Sequence, residues 1–257
     1  MNRLQRILAA TYCLLAASAC RNSAMSKVTY ASTPKGDVVE DYFGTKIADP
    51  YRWMEDLDSK AVADWVAAQN QVTFDYLAKL PMREHFVKRI TELWDYPRVS
   101  IPVREGGRYF YVKNSGLQRQ PPVYMRSSLT SPPAMVIDPN QLSPDGSVSL
   151  ADWAPSRDGK LLAYGLSEGG ADWRTLHVRD VDSGKDLPDE VRWMRFSSIS
   201  WTKDGKGFFY SRYPEPPPGK ALEAALSGQA IYYHRIGQPQ SQDRLIYERK
   251  DLPTWFV

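Results

Sequence analysis

The spacing of apolar and polar positions changes near Val99, from a helical period to strict alternation. Before that point Val62, Trp65, Val66, Gln69, Val72, Thr73, Tyr76, Leu77 and Leu80 recur at helical steps. They draw one largely apolar stripe on a helix that Ser59 is placed to cap. Asp49-Pro50-Tyr51 ahead of it reads as a turn, because proline fixes φ and pushes the preceding residue out of the helical region. Pro81 suits the first turn of a second helix, with Phe86, Ile90, Leu93 and Trp94 on its buried side and Pro97 ending it.

Beyond Val99 one phrase returns. "GGRYFYVKN" leads to "PPVYMRSS", "DGKLLAYGLS" to "RTLHVRDVDSGK", and "DGKGFFYSRY" to "AIYYHRIG". Each is a turn, a strand, a connection and a second strand. The turn glycines Gly107, Gly159 and Gly205 lie roughly fifty residues apart, the spacing of propeller blades. Trp153 and Trp201 precede two of the turns. A plain antiparallel sandwich could show similar hairpins, but the repeated Trp and turn favour a propeller. The Pro-rich "PEPPPGKALEAALSGQ" reads as a surface excursion with a short helical piece. The expected fold is mainly β: an α-helical N-terminal segment (residues 21–98) followed by an incomplete β-propeller (residues 99–257) of about three blades.

Candidate chemistry centres on Ser167, because Gly165-Leu166-Ser167-Glu168-Gly169 matches G-x-S-x-G, the pattern of a hydrolase nucleophile elbow. An elbow needs strand, sharp turn and helix. Here Gly169-Gly170 punctuates a turn and "TLHVRDV" alternates like another strand, so the helix is missing. A base is missing too. His85 falls in the second helix, while His177 and His234 fall inside alternating β phrases, where a half-buried or surface histidine is expected. Ser167 is therefore expected to be a polar residue at the end of a blade strand, and no catalytic residue is assigned. Glu55, Asp56 and Asp58 ahead of the first helix suit dipole compensation better than acid/base work. No Cys/His cluster with zinc spacing, H-E-x-x-H, phosphate-binding loop or dinucleotide fingerprint occurs, so neither metal nor cofactor is expected.

Charge adds little. The formal net charge is +3 with acids and bases interspersed, and without a basic stripe no nucleic-acid partner is expected. The first twenty residues change the picture more. Arg3 and Arg6 precede the apolar run "ILAATYCLLAA" and then "SAC", the plan of a secretory signal peptide too short to span a bilayer. Two readings of its end stand side by side. Ala17-Ser18-Ala19 fits an A-x-A cleavage site, and the same residues before Cys20 resemble a bacterial lipobox, with Cys20 as the lipidated N-terminus. The lipobox usually carries Leu where this chain has Ala17. Both cysteines, Cys13 and Cys20, lie in this segment, so an internal disulfide in the mature chain is excluded. A periplasmic or secreted location follows, with membrane contact only through such a lipid.

Taken together, "DPYRWMEDLDS", "VADWVAAQN", the blade phrase "LLAYGLSEGGADWRTLHVRDVDSGK", "ISWTKDGKGFFYSRYPEP" and "AIYYHRIGQPQSQDRLIYE" resemble the N-terminal part of prolyl oligopeptidases, from about Tyr30 to Val257. These are serine peptidases that cut short peptides after proline. The resemblance implies a helical segment that packs on an α/β-hydrolase domain, and a seven-bladed propeller that covers the active site and admits only small peptides. The family's serine, aspartate and histidine belong to its C-terminal part, and no residue here matches them. The chain is thus expected to be the N-terminal portion of such an enzyme, inactive alone, with short proline-containing peptides as partners only of the complete enzyme. The complete enzyme is expected to be a monomer and this portion association-prone, with open strand edges. Two rivals remain: a non-enzymatic envelope lipoprotein binding a partner through a partial propeller, against which the apolar "LPTWFV" argues, and a small hydrolase using Ser167.

Overall fold

The computed structural model describes residues 28–221 and 224–257. The signal segment and Cys20 lie outside the described residues. The chain divides into two compact units, residues 1–89 and 90–257.

In the first unit, strands β1 (Val39–Tyr42) and β2 (Thr45–Ala48) form a hairpin. Its turn residues Phe43 and Gly44 have φ of +54° and +88°, the mirror-image turn that matches the twist of paired strands. A 3₁₀ turn, Arg52–Glu55, leads to helix α1 (Lys60–Ala78). Ser59 caps it as expected, its hydroxyl accepting from the Val62 amide at 3.3 Å. The stripe is only partly covered. Val62 is buried, whereas Trp65, Gln69, Val72 and Tyr76 are half-buried. The cover comes from the N-terminal arm: Trp65 Nε1 donates to Thr33 Oγ1 at 3.0 Å, Gln69 Nε2 to the Ala31 carbonyl at 3.2 Å, and Trp53 Nε1 to the Pro34 carbonyl at 3.0 Å.

Helix α2 (Arg83–Trp94) starts just after Pro81, which sits in the preceding turn, and runs through the point of division. Its apolar side is not buried. Phe86, Ile90, Leu93 and Trp94 are each 57–59% exposed, because the amphipathic face finds no covering surface among the described residues.

The second unit holds three antiparallel sheets. The first blade is built on β5 (Arg108–Asn114), which pairs with β3 (Arg98–Val99), β4 (Val103–Glu105) and β6 (Val123–Arg126), with β7 (Ala134–Ile137) outside. The second runs β8 (Val148–Pro155), β9 (Leu161–Glu168), β10 (Arg174–Asp180), β11 (Asp186–Met194). The third runs β12 (Ser200–Trp201), β13 (Gly207–Arg212), β14 (Ala230–Arg235), β15 (Arg244–Glu248). The recurring sequence phrases are the central pairs β5–β6, β9–β10 and β13–β14, and flanking strands complete each blade. The sheets are not closed into a ring, so this is a mainly β chain carrying a partial propeller. Within the excursion at 214–229 the described residues are turns and extended chain, and the short helical piece expected there is not found among them.

Two apolar seams join the blades. Strand β9 serves both through its period of two. Leu162 and Tyr164 turn to one side and pack with Phe110, Val123, Val136 and Ile137 of the first blade. Ala163 turns to the other and packs with Leu176, Val178, Val191 and Met194 of its own blade and Trp201, Phe208 and Tyr210 of the third. Each fully buried large side chain contributes about 1.5–3 kcal/mol. Trp201 also donates to the Ala154 carbonyl of the second blade at 2.9 Å.

Polar contacts close the same seams. Between the first and second blades, Arg108 pairs with Asp182 at 2.8 Å and Arg157 with Glu105 at 2.7 Å. Here the turn of the first blade runs against that of the second so closely that a Cβ on Gly106 would land on the Asp158 carbonyl. Between the second and third blades sits His234, wholly buried. Its Nε2 lies 3.0 Å from Asp189 Oδ1 on β11, and its Nδ1 lies 2.8 Å from Asp243 Oδ1, which precedes β15. Tyr210 donates to Asp243 Oδ2 at 2.7 Å, and the Gly237 amide to Asp189 Oδ1 at 2.6 Å. A half-buried or surface histidine was expected here. The two carboxylates reverse that, because an imidazolium between them has an acceptor for each N–H. Burial pulls the His234 pKa down, but hydrogen bonds and charge from Asp243 and Asp189 outweigh it and hold the pKa above the ordinary value.

Two outcomes follow. A histidine whose pKa is raised on folding contributes stability that is complete below its unfolded value, about 6.5, and is lost as pH rises through the folded value. The urea midpoint of the chain should therefore fall above about pH 6.5. His234→Gln should remove that fall and cost about 3–5 kcal/mol, since it leaves two buried carboxylates uncompensated. Gly106→Ala, at φ +56° and against backbone, should lower stability by at least about 1–3 kcal/mol in the same assay.

Candidate functional site

Ser167 occupies the last turn-facing part of β9, is 6% exposed, and pairs in register with Ser149 of β8. Its hydroxyl donates to the Ala171 carbonyl, across the turn made by Gly169 and Gly170 at φ of +59° and +76°. Strand β10 follows, so no helix N-terminus faces the serine. The oxygen is neither open to a substrate nor adjacent to a base. His177 stacks on Tyr164, ring centroids 5.6 Å apart, one strand away. His85 lies on α2, and His234 is the seam residue described above. The described residues thus keep these three histidines apart from Ser167 as a catalytic constellation. Glu55 ends the 3₁₀ turn, 3.4 Å from Arg52, and Asp56 and Asp58 are exposed in the turn before α1, where their charge favours the helix N-terminus.

A different region was invisible to motif reading. At the ends of β9, β11 and β13 a set of aromatic rings meets edge to face. Trp173 lies 5.8 Å from Trp193 and 6.1 Å from Tyr213, and Phe196 lies 5.8 Å from Phe256. The Arg195 guanidinium sits between the groups, 5.3 Å from the Trp173 ring and 5.2 Å from Phe196, tethered to Asp172 at 2.7 Å. Two of these residues have left-handed backbone, Trp193 at φ +65° and Phe196 at φ +52°. That conformation costs an L-residue about 1–2 kcal/mol. It persists at Trp193 because its carbonyl accepts from the Tyr213 amide at 3.1 Å and its ring is clamped by Trp173. The Trp173 indole is itself fixed by donating to the Ala221 carbonyl at 2.8 Å.

Next to these rings opens a cleft of about 590 Å³, lined by Trp173, Trp193, His177, Glu168, Glu190 and Arg192 among others. Its wall combines aromatic faces with charged groups of both signs. It offers no activated nucleophile. A second cleft, about 650 Å³, lies within the first unit and is lined by Trp53, Trp65, Lys35 and Asp64. Among the described residues no group of three or more His, Cys, Asp or Glu side chains is arranged to hold a metal ion.

Comparison with known proteins gives these features a context. Residues 30–257 match the family model described as the N-terminal β-propeller domain of prolyl oligopeptidase. The prolyl endopeptidase of Elizabethkingia meningoseptica is 36% identical over 242 residues, covering 94% of this chain and 34% of that protein. Prolyl oligopeptidase A of Galerina marginata is 35% identical over 252 residues, covering 88% of this chain and 33% of that protein. Among solved structures, one from a mechanistic study of two prolyl endopeptidases superposes with a TM-score of 0.77 at 37% identity, over 86% of this chain and 33% of that one. Prolyl oligopeptidase B of Galerina marginata, bound to a 35mer hydrolysis and macrocyclization substrate, gives 0.72 at 30% identity, over 90% and 35% of the two chains. The chain spans about a third of the length of these relatives. Matched by the family model over residues 30–257 and superposed on a solved relative over 86% of its length, the chain belongs to the prolyl oligopeptidase family, through that family's N-terminal propeller domain.

Proposed function

We propose that this chain supplies the helical segment and the first propeller blades of a serine peptidase that cleaves short peptides after proline, the propeller acting as a size-selective gate. The family match over residues 30–257 carries the reading. The chemistry of the described residues supports it, since Ser167 is locked to a carbonyl and His234 to two carboxylates. On this reading the propeller contributes access and contact, and the bond-breaking groups belong to a part of the enzyme outside these residues. The rim of Trp173, Trp193, Arg195 and Phe196 is the surface best suited to touch a passing peptide. Phe196 is half-exposed, and aromatic faces take apolar rings without demanding a hydrogen bond. The exposed face of α2 is the surface the helical segment would offer to a hydrolase domain.

We propose further that residues 1–20 direct export to the periplasm, with Cys20 the residue that would carry a lipid. The basic Arg3 and Arg6, the apolar run and the small residues before Cys20 support this.

Three measurements bear on these readings. The purified chain should release no chromophore from a Gly-Pro chromogenic peptide, and turnover blocked by a serine-directed inhibitor would sink the gate reading. Ser167→Ala should leave that null result unchanged and cost only about 0.5–1.5 kcal/mol of stability, for one hydrogen bond. Mass spectrometry of the exported chain should find an N-terminus at or just before Cys20, whereas an intact Met1 in the cytosol would overturn the export proposal.

A further inference from the structure

The two joints between blades are tied at the same register position by different side chains. Tyr164 of β9 pairs with His177 of β10, and Arg179 stands two residues on; Tyr210 of β13 pairs with Tyr232 of β14, and His234 stands two residues on. Each of these residues holds a carboxylate of its own blade and an acceptor in the blade before. Arg179 binds Asp186 through Nε at 2.8 Å and donates to the Val136 carbonyl of the first blade at 2.9 Å. His234 binds Asp243 through Nδ1 at 2.8 Å and reaches Asp189 of the second blade through Nε2 at 3.0 Å. An arginine keeps its charge across the physiological range, whereas a histidine does not. The first joint is therefore tied permanently, and the second carries a tie that titrates.

Geometry decides which bond is lost. A neutral imidazole has one N–H for two carboxylates, so one ring lone pair must face an anionic oxygen. The Asp243 bond lies within the third blade, and the Tyr210 hydroxyl holds the other oxygen of that carboxylate at 2.7 Å. The Asp189 bond crosses between blades. Asp189 Oδ1 also accepts from the Gly237 amide at 2.6 Å, while its Oδ2 is buried without a partner among the described residues. Parting the blades lets water reach Asp189 and keeps the ring on Asp243, so it relieves the repulsion without breaking the ring's other bond. Facing the ring, β11 presents Asp189 and the run before β15 presents Asp243. Strand β13 presents the Tyr210 hydroxyl, through Asp243, and the Phe208 ring, 5.2 Å away. Arg212 of the same strand lies over the Tyr232 ring, 4.3 Å from its centroid. Burial disfavours the charged ring, but hydrogen bonds and charge from Asp243 and Asp189 outweigh it, so the closed joint holds the His234 pKa above the ordinary value.

We propose that the joint between the second and third blades is a pH-responsive latch, closed while His234 is charged and released on the Asp189 side when the ring gives its proton to solvent. Release loosens the joint and does not divide the chain. The packing of Trp201 and Phe208, the Trp201 bond to the Ala154 carbonyl at 2.9 Å and the paired bonds of Gln240 with the Arg192 main chain at 3.0 Å still span it. Because the closed joint raises the pKa, the latch is fully engaged below about pH 6.5 and weakens as pH rises above it. Overall stability needs only a charged, buried ring; the latch adds which joint opens, and makes Asp189 the partner that sets it. The proposal stands on the two seams and is independent of the peptidase reading.

Hydrogen exchange of the 257-residue chain, followed residue by residue by nuclear magnetic resonance and corrected for the intrinsic rate, tests it. The Gly237 and Arg192 amides and the Trp201 indole N–H make bonds that cross this joint and report its opening. Their opening constant is expected to rise by up to about tenfold per pH unit above about pH 6.5. Dilute urea should leave that rise unchanged, the mark of a local opening. The amides of β7, at the joint tied by Arg179, should show no such rise. In Asp189→Asn the rise should disappear, because Asp243 stays with His234 whether the joint is open or closed. His234→Gln, which has no proton to lose, should be equally flat and serves if Asp189→Asn loses its β circular-dichroism signature; if both do, the wild-type profile decides. Four results would overturn the proposal: wild-type reporters that open no more at about pH 8 than at about pH 6, a rise as sensitive to urea as global unfolding, the same rise at β7, or a folded Asp189→Asn chain that rises like wild type.

Discussion

Everything in the second unit depends on a sheet that must be buried on both faces. A lone four-stranded blade exposes two apolar surfaces and cannot stand in water; it becomes stable only between neighbours. Strand β9 meets that demand by alternation, sending Leu162 and Tyr164 one way and Ala163 the other. The polar contacts are arranged around this necessity. Once apolar burial has brought two sheets together, Arg179 and His234 lie where main chain or carboxylate of the preceding blade can satisfy them, and they fix the register of the seam. Non-directional burial brings the blades together, and directional bonds then select one alignment.

The same logic separates what can be read in the amino-acid sequence from what cannot. The central strand pairs were legible because they combine alternation with a glycine turn, and Gly107, Gly159 and Gly205 all adopt the positive φ that such turns need. The flanking strands β8, β11, β12 and β15 were not. Strand β12 is two residues long, and β15 is exposed along its whole length, so neither prints a clear apolar period. The cap at Ser59 was local and was read correctly. The buried side of α2 was read from period alone, and a period states which face is apolar, never whether anything covers it.

The site chemistry divides in the same way. The turn and strand that follow Ser167, where an elbow requires a helix, were legible because they are written in adjacent residues. The burial of His234 was out of reach, since Asp189 lies 45 positions away. The aromatic rim was equally hidden. It gathers Trp173, Trp193, Phe196, Tyr213 and Phe256 from separate strands and loops, and no spacing rule joins them. Its signal was the density of tryptophan and tyrosine, which composition registers without location.

The close approach at Gly106 has a mechanical consequence. The turn of the first blade rests on the main chain at Asp158, with no side chain between. Backbone against backbone is an incompressible stop, so the first blade cannot tilt further toward the second at that end. Tilting the other way would stretch the side-chain ties of Arg108 and Arg157, both partly in solvent, pull Arg179 from the Val136 carbonyl of the first blade, and open the apolar seam around Leu162 and Tyr164. The joint therefore resists in two different ways, compression by main chain meeting main chain and extension by the loss of apolar burial. At this joint the first blade rests against a stop on one side, and leaning away from it exposes apolar surface that is now buried.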